Sequence, residues 1–392
     1  MRIAHIITRL ILGGAQENTL LNCLDLRERY GDDVLLITGP GLGPEGSLED
    51  RARRAGLPLR VISQLRRAIH PTRDWLSYRD ICAALREFKP QVVHTHSGKA
   101  GLLGRRAAWT LRVPAVVHTI HGAPFHRFQG RGARMFFQAC ERYAAHRCHR
   151  LISVADAMTE QMVAANIAER NKFVTVYSGM EIDPFLSAHS LRNATRAELG
   201  LAPDDVVVGK IARFFRLKGH DDFLKAAKLI LRDHPRAKFV LVGDGVLRPH
   251  LERQLEEQGL CDAFRLTGLV DPQRIPALLA ATDVVVHTSL REGLARVLPQ
   301  ALLVGRPVVS YDIDGAREVV IDGKTGFLAS ARDVSRVANC VSKLLSDAGL
   351  RQQLAAAGQR LCREMFPVQL MTDAIRRIYE QILEVPAHAR GE

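Results

Sequence analysis

Short apolar runs rich in β-branched residues, each followed by a helical pattern, recur along the whole chain, and that alternation leaves few folds open. Residues 2–8, 33–38, 59–62, 91–95, 115–119, 151–154 and 173–176 read as strands, with helical patterns between them at 15–28, 75–87 and 99–111. Runs that stay apolar, instead of alternating with polar residues, belong to strands covered on both faces, as in parallel sheets with crossover helices. A second series follows, with strands at 206–212, 238–242, 264–267, 283–287 and 307–310 and helices near 220–232, 247–258 and 272–280. Residues 184–204 lose the regularity. At 392 residues the chain exceeds one ordinary core and suits two domains. The expectation is an α/β protein of two Rossmann-like, doubly wound parallel-sheet domains facing a central cleft. Their bounds are 1–185 and 205–366, joined by a linker at 186–204 and followed by a terminal helical segment at 367–392.

Composition narrows the class further. With 47% hydrophobic and 25% charged residues the chain is of ordinary globular make-up, and no stretch of 18 uninterrupted apolar residues suggests a membrane span. The opening MRIAHIITRLILGG is broken by Arg2, His5 and Arg9, so it reads as a buried first strand, not a signal peptide. Seven scattered cysteines without a CxxC pair favour a reduced, cytoplasmic chain. Cys140, His146, Cys148 and His149 cluster locally, but on a helix 146 points away from the face shared by 140 and 148, so no metal site is expected.

The net charge of +13 lies mainly in the first 190 residues, which hold 26 Lys and Arg against 17 Asp and Glu. Residues 51–73 carry seven Arg, and 127–150 carry six against the single acid Glu141, interleaved with Phe128, Phe136 and Phe137 and preceded by Phe125. Such a surface suits peripheral attachment to anionic headgroups at the inner face of a membrane, with a plain solvated basic face as the competing reading. No nucleic-acid module accompanies the charge.

Candidate chemistry gathers at strand ends, where open α/β sheets bind ligands. Gly13 and Gly14 follow the first strand and allow close approach of backbone amides to an anion, although GGAQEN lacks the third glycine of a dinucleotide fingerprint. In ARFFRLKG, Arg213 offers a fork and Lys218 a point charge, together suited to a diphosphate. His121 ends AVVHTIH, His96 and Ser97 end the preceding strand, Gly243 and Asp244 end another, and Leu269 follows Thr267-Gly268. Ser97 reads equally as an N-cap. Finally, REGLARVLPQALLVGRPVV places Glu292, Gly293 and Leu294 at a strand-to-helix turn, with Gln300 eight residues beyond Glu292.

This last segment, with ARFFRLKG and the glycine pair, resembles family 4 of the retaining glycosyltransferases, and the likeness extends over nearly the whole chain. The resemblance implies a GT-B fold in which the last helix crosses back to the first domain, and a metal-independent, retaining transfer from a nucleotide-sugar donor, UDP-sugar favoured, with no cofactor. It implies that Arg213 and Lys218 stabilise the leaving diphosphate, Glu292 contacts the transferred sugar and His121 lies beside it. Gly13, Gly14, Gly243, Asp244, Leu269, Gly293 and Leu294 would bind the donor. The family has a second Glu where this chain has Gln300, which can still bond a ribose diol. His96 and Ser97 would line an acceptor pocket for a hydroxyl-bearing, lipid-linked or envelope glycan precursor. A sugar-nucleotide 2-epimerase on the same architecture, or a non-catalytic nucleotide-sugar-binding module, are the alternatives.

Overall fold

The computed structural model describes residues 1–42 and 46–385, so the last residues of the 367–392 segment lie outside the described residues. The chain forms two compact units, one of Met1–Met180 joined by the segment from Pro367, the other of Glu181–Phe366.

In unit 1, strands and helices alternate as β1 (Arg2–Ile7), α1 (Gly14–Tyr30), β2 (Asp33–Thr38), α2 (Glu49–Arg54), β3 (Leu59–Val61), α3 (Pro71–Phe88), β4 (Val92–His96), α4 (Gly98–Thr110), β5 (Ala115–Ile120), α5 (Arg131–Ala145), β6 (Arg150–Ser153), α6 (Asp156–Ala164) and β7 (Phe173–Thr175). All seven strands are parallel, in the order β3-β2-β1-β4-β5-β6-β7. Every residue of β4 and β5 is buried, including His94, Thr95 and His96 on the first and His118 and Thr119 on the second, as in strands covered on both faces.

Unit 2 contains α7 (Asp183–Leu186), α8 (Arg192–Glu198), β8 (Val207–Ile211), α9 (His220–Asp233), β9 (Lys238–Val242), α10 (Arg248–Glu257), β10 (Phe264–Gly268), α11 (Ile275–Ala281), β11 (Val284–His287), α12 (Val297–Leu303), β12 (Val308–Tyr311), β13 (Gly326–Ala329), α13 (Val334–Ser346) and α14 (Ala348–Met365). Its six parallel strands run β10-β9-β8-β11-β12-β13. Residues 186–204, read from sequence as a linker, instead hold α8. This helix is fixed by charge more than by an apolar stripe: Arg192 and Arg196 grip Asp283 at 2.6 and 2.9 Å and bond the carbonyls of residues 280–282.

The last helix, α15 (Val368–Glu384), belongs to unit 1. Its buried Val368, Met371, Ile375, Ile378 and Ile382 recur every three or four residues and join the core beneath β1, β4 and β5. A polar seam lies alongside, with Tyr30 donating to Asp373 at 2.6 Å and Arg376 to Asp32 at 3.2 Å.

Candidate active site

In unit 2 the strand order runs one way from β8 and the other way from β11, so the switch point of the sheet falls between them. The loop after β8 carries Arg213 and Lys218, and the loop after β11 carries Glu292. Lys218 Nζ pairs with Glu292 Oε1, and His287 Nε2 lies 3.7 Å from the same oxygen. The Glu292 backbone N–H donates to Asp314 Oδ2 at 2.6 Å. Burial works to raise the Glu292 pKa, but the Lys218 ammonium and His287 outweigh it and hold the carboxyl well below the usual range. Arg213 is exposed, with its guanidinium 5.2 Å from the Phe215 ring centroid.

A latch fixes these two loops against each other. Leu290 N–H donates to Leu217 O at 2.8 Å, Thr288 Oγ1 donates to Gly219 O at 2.6 Å, and Lys210 Nζ donates to Thr288 Oγ1 at 2.8 Å. Gly219, with φ of 65°, is where the latch needs a missing side chain: a Cβ there would stand 1.9 Å from Thr288 O. Lys210 is 1% exposed, and burial pushes its ammonium down to about 7. Sequence reasoning missed Lys210 because a lysine inside an apolar strand carries no motif.

Gly243 and Asp244, expected at the donor, also have a structural part. A Cβ on Gly243 would sit 2.2 Å from Ala212 O, and Asp244 O accepts from Phe214 N at 2.8 Å, so both brace the loop that bears Arg213. The Asp244 carboxylate is engaged by Gly245 N–H and Arg248 at 2.7 and 3.1 Å. Gly293 and Leu294 are buried beside Glu292, with Gly293 O accepting from Gly315 N at 3.1 Å. Leu269 is 53% exposed just past β10, and Gln300 is half-buried on α12. The sequence reading that no Asp-x-Asp pair of the metal-holding sort stands at a strand end needs correction, because Asp312 and Asp314 directly follow β12. Their carboxylates are committed, Asp312 to Arg317 in a two-bond fork at 3.0 and 2.5 Å and Asp314 to the Glu292 amide.

In unit 1 the switch point lies between β1 and β4. Gly13 and Gly14 end the loop after β1 and open α1. Ser97, between β4 and α4, has φ of 61°, and its Oγ lies 2.9 Å from Thr8 Oγ1. It therefore ties the two loops together and makes no side-chain cap on α4. His121 follows β5 and is half-buried. His96, read from sequence as an acceptor contact, is only 1% exposed and has one ring nitrogen 3.0 Å from His5 and the other 3.1 Å from His121. With both nitrogens engaged below the surface, it supports His121 and does not face a ligand. His118 is buried, with Nδ1 2.9 Å from Thr95 Oγ1. The Cys140 to His149 cluster does not converge: His149 Nδ1 accepts from Val116 N–H at 2.9 Å and Cys148 turns to Ala145 O.

Two families match this chain. Glycosyl transferases group 1 matches residues 192–361, and the glycosyl transferase 4-like domain matches residues 13–179. The UDP-Gal:alpha-D-GlcNAc-diphosphoundecaprenol alpha-1,3-galactosyltransferase of Escherichia coli is 29% identical over 350 residues, 88% of either chain. The 2-deoxystreptamine N-acetyl-D-glucosaminyltransferase of Streptomyces fradiae is 28% identical over 370 residues, 88% of this chain and 86% of that one. Among solved structures, Anabaena HepE in complex with UDP and glucose has a TM-score of 0.82 at 22% identity, covering 97% of this chain and 99% of that one. Sucrose-phosphate synthase from Thermosynechococcus elongatus gives 0.82 at 19% identity, over 98% and 99%. The family matches take in both parallel-sheet units with nearly all of the strand ends described above, and the chain belongs to the family 4 glycosyltransferases of the GT-B fold.

Proposed function

We propose that this enzyme moves a hexose-type sugar from a UDP-sugar to a hydroxyl of a lipid-linked or envelope glycan precursor, with retention at the anomeric carbon and without a metal. The observation that carries the reading is the Lys218–Glu292 pair, latched at the β8/β11 switch point with Arg213 on the same loop. A cation paired with a carboxylate, with a second cation on the same loop, matches a pyrophosphate joined to a polyol. Lys218 can exchange Glu292 for a phosphate oxygen while Glu292 takes up sugar hydroxyls.

In the proposed reaction the bond from C1 to the β-phosphate oxygen breaks as the acceptor oxygen bonds C1 on the same face. The acceptor proton passes to the departing phosphate, and Arg213 and Lys218 stabilise its charge. Gln300 holds the ribose, main chain near Leu269 reads the base, Gly293 and Leu294 shape the sugar pocket, and the Gly13-Gly14 amides approach the diphosphate. His121 contacts the sugar or acceptor, with Ser97 beside it. Commitment of Asp312 and Asp314 to Arg317 and to backbone supports metal independence. The UDP-galactose named for the E. coli relative and the UDP named for HepE support the donor class, and the diphosphoundecaprenol of the former supports a lipid-linked acceptor.

A membrane surface is the natural place for such an acceptor. On α5, Met135, Phe136 and Tyr143 are 66%, 53% and 39% exposed beside exposed Arg131 and Arg134, whereas Phe125, counted with them in the sequence, is buried. Ile69 and Trp75 stand out near Arg66, Arg67 and Arg73 in the other basic stretch. Amphipathic faces of this kind bind anionic headgroups reversibly.

Thermal shift across a panel of nucleotide sugars tests the donor, since a bound donor raises the melting temperature by mass action. The stabilising sugar nucleotide should then be hydrolysed slowly without acceptor, with unchanged rate in EDTA. Conversion to an epimeric sugar nucleotide would instead mark an epimerase, and neither turnover a binding module. Lys218→Ala should lower kcat on the order of 10²–10³-fold, the scale of losing one charge-stabilising donor.

A further inference from the structure

Three histidines in unit 1, from three successive positions across the sheet, form one continuous hydrogen-bonded chain. His5 on β1 places Nδ1 3.0 Å from His96 Nε2, and His96 on β4 places Nδ1 3.1 Å from His121 Nε2, just past β5. His5 and His96 are fully buried, at 0% and 1% exposure. His94 packs against both rings but stands outside the chain, its nitrogens bonded to Tyr379 Oη at 2.5 Å and Thr119 Oγ1 at 2.7 Å.

His5, His94 and His96 are close enough to suggest a metal ion. The geometry argues otherwise. Two imidazole nitrogens on one tetrahedral zinc, each about 2.0–2.1 Å from the ion, stand roughly 3.3 Å apart. The His5 to His96 separation is a hydrogen-bond distance, their rings are stacked at 15°, and His94 has no nitrogen to spare. A proton sits between these rings.

Where that proton belongs follows from the inner end of the chain. Burial holds His5 and His96 neutral at ordinary pH, the first down to about 3, so each ring carries one N–H. His5 Nε2 is buried without a hydrogen-bond partner. A proton on Nε2 would be a buried donor with nothing to bond, and His5 Nδ1 would have to accept from His96. A proton on Nδ1 leaves only a bare lone pair at Nε2 and lets His5 donate to His96. Orphaned N–H groups are rarer in protein interiors than acceptors left short of a partner, so the chain takes the second polarity: His5 Nδ1–H donates to His96 Nε2, and His96 Nδ1–H donates to His121 Nε2.

We infer that His5 and His96 are positioning residues that lock His121 as the Nδ1–H tautomer, so that it meets a sugar or acceptor hydroxyl as a hydrogen-bond donor. Free neutral imidazole in a histidine side chain favours the Nε2–H form, so the buried chain reverses an intrinsic preference. The ligand contact rests on the transferase reading; the tautomer does not. His121 Nε2 is occupied by the incoming N–H and is withheld from acting as a base toward a ligand.

The test needs no substrate. Nitrogen-15 labelling of histidine in the full-length protein, with two-bond correlation spectra near neutral pH and His121 assigned by its absence in His121→Asn, reads the tautomer directly. The wild type should show His121 protonated at Nδ1; protonation at Nε2 overturns the inference. In His96→Leu, His121 should revert to Nε2–H, and in His96→Asn, whose amide can still donate from the position of Nδ1, it should keep Nδ1–H. In His5→Phe it is His96 Nε2 that lacks a partner, so by the same rule His121 should keep Nδ1–H, and a switch to Nε2–H there would overturn the assigned polarity. An unchanged His121 tautomer in His96→Leu would mean that the chain does not set it. If the tautomer is as stated but no nucleotide sugar stabilises or is turned over by the protein, the positioning chain stands and the proposed function fails.

Discussion

Lys210 carries a charge into a place built for none. It lies in the middle of β8, within VVGKI, where the strand is covered on both faces, and its ammonium has Thr288 Oγ1 as its partner. Burial depresses its pKa from 10.5 to about 7. In the unfolded chain the group stays protonated up to its ordinary value, so between about 7 and 10.5 the unfolded state binds more protons. Its contribution therefore favours folding at high pH and is lost as pH falls through 7. Lys210→Met should raise the unfolding free energy at pH 7, on the order of 1–4 kcal/mol at one pKa unit per 1.4 kcal/mol, and the gain should shrink toward pH 10. Urea titrations of both proteins at the two pH values give the difference, in which the opposing effect of buried thiols and phenols such as Cys23 and Tyr379 cancels. The same variant frees Thr288, so donor turnover should fall while stability rises. Gly219→Ala makes the complementary case: with Thr288 O 1.9 Å from the added carbon, the latch must open. It should lower kcat at least tenfold with a loss of about 1–3 kcal/mol in stability, and a variant with wild-type turnover would show that the latch does not hold Lys218 in place. Lys218 and Glu292 were legible from the sequence because each stands at a strand end next to turn glycine. Lys210 and the His5–His96 chain were not, since nothing in a strand pattern says that a polar residue inside it faces another from the neighbouring strand.

At the scale of elements, periodicity spoke clearly where apolar burial makes the element and was silent where something else does. The strands of both sheets fall within a residue or two of their expected positions because bare β-branched runs leave little choice. β13 went unread: its four residues, Gly326–Ala329, begin with glycine and follow the turn at 322–325 at the sheet edge. α8 went unread because arginine forks on Asp283, not an apolar stripe, hold it. α15 was legible as a helix, but its partner was known only through the family resemblance, as no periodicity says which core a stripe will enter. It enters the core of unit 1, and Ile375, 3% exposed, lies in the middle of the contact. Ile375→Ala should cost about 2–5 kcal/mol, the range for emptying a buried aliphatic site. The loss should appear as faster hydrogen exchange in β1 and β4, with β8 and β11 of unit 2 unaffected. Exchange that rises equally in both sheets would contradict the placement of α15 in unit 1 alone.

Across the described residues of the whole molecule, buried histidine with a lowered pKa is unevenly divided, and acid should reveal it. Unit 1 holds His5, His94, His96 and His118 with pKa values pushed down by burial, whereas unit 2 holds His220 and His287. In the folded protein these rings stay neutral as pH falls below 6.5, while in the unfolded chain they take up protons. Their share of stability is thus fully present above 6.5 and is withdrawn as pH drops toward the folded values, about 3 for His5 and His220. Each ring withdraws up to about 1.4 kcal/mol per pH unit once its unfolded counterpart is protonated. Between pH 6.5 and 5, before carboxylates such as Glu292 begin to matter, the larger set in unit 1 should make the free energy of full opening fall more steeply there than in unit 2. Hydrogen exchange followed by mass spectrometry at half-unit pH steps, corrected for the intrinsic rate, measures that slope at the most protected amides of β4 and β5 and of β8 and β11. His5→Phe should lower the slope of unit 1 by about one ring's share and leave that of unit 2 alone. Equal slopes in the two units would mean that the histidines of unit 1 are not held neutral, and the hydrogen-bond polarity assigned to the His5–His96–His121 chain would lose its physical basis.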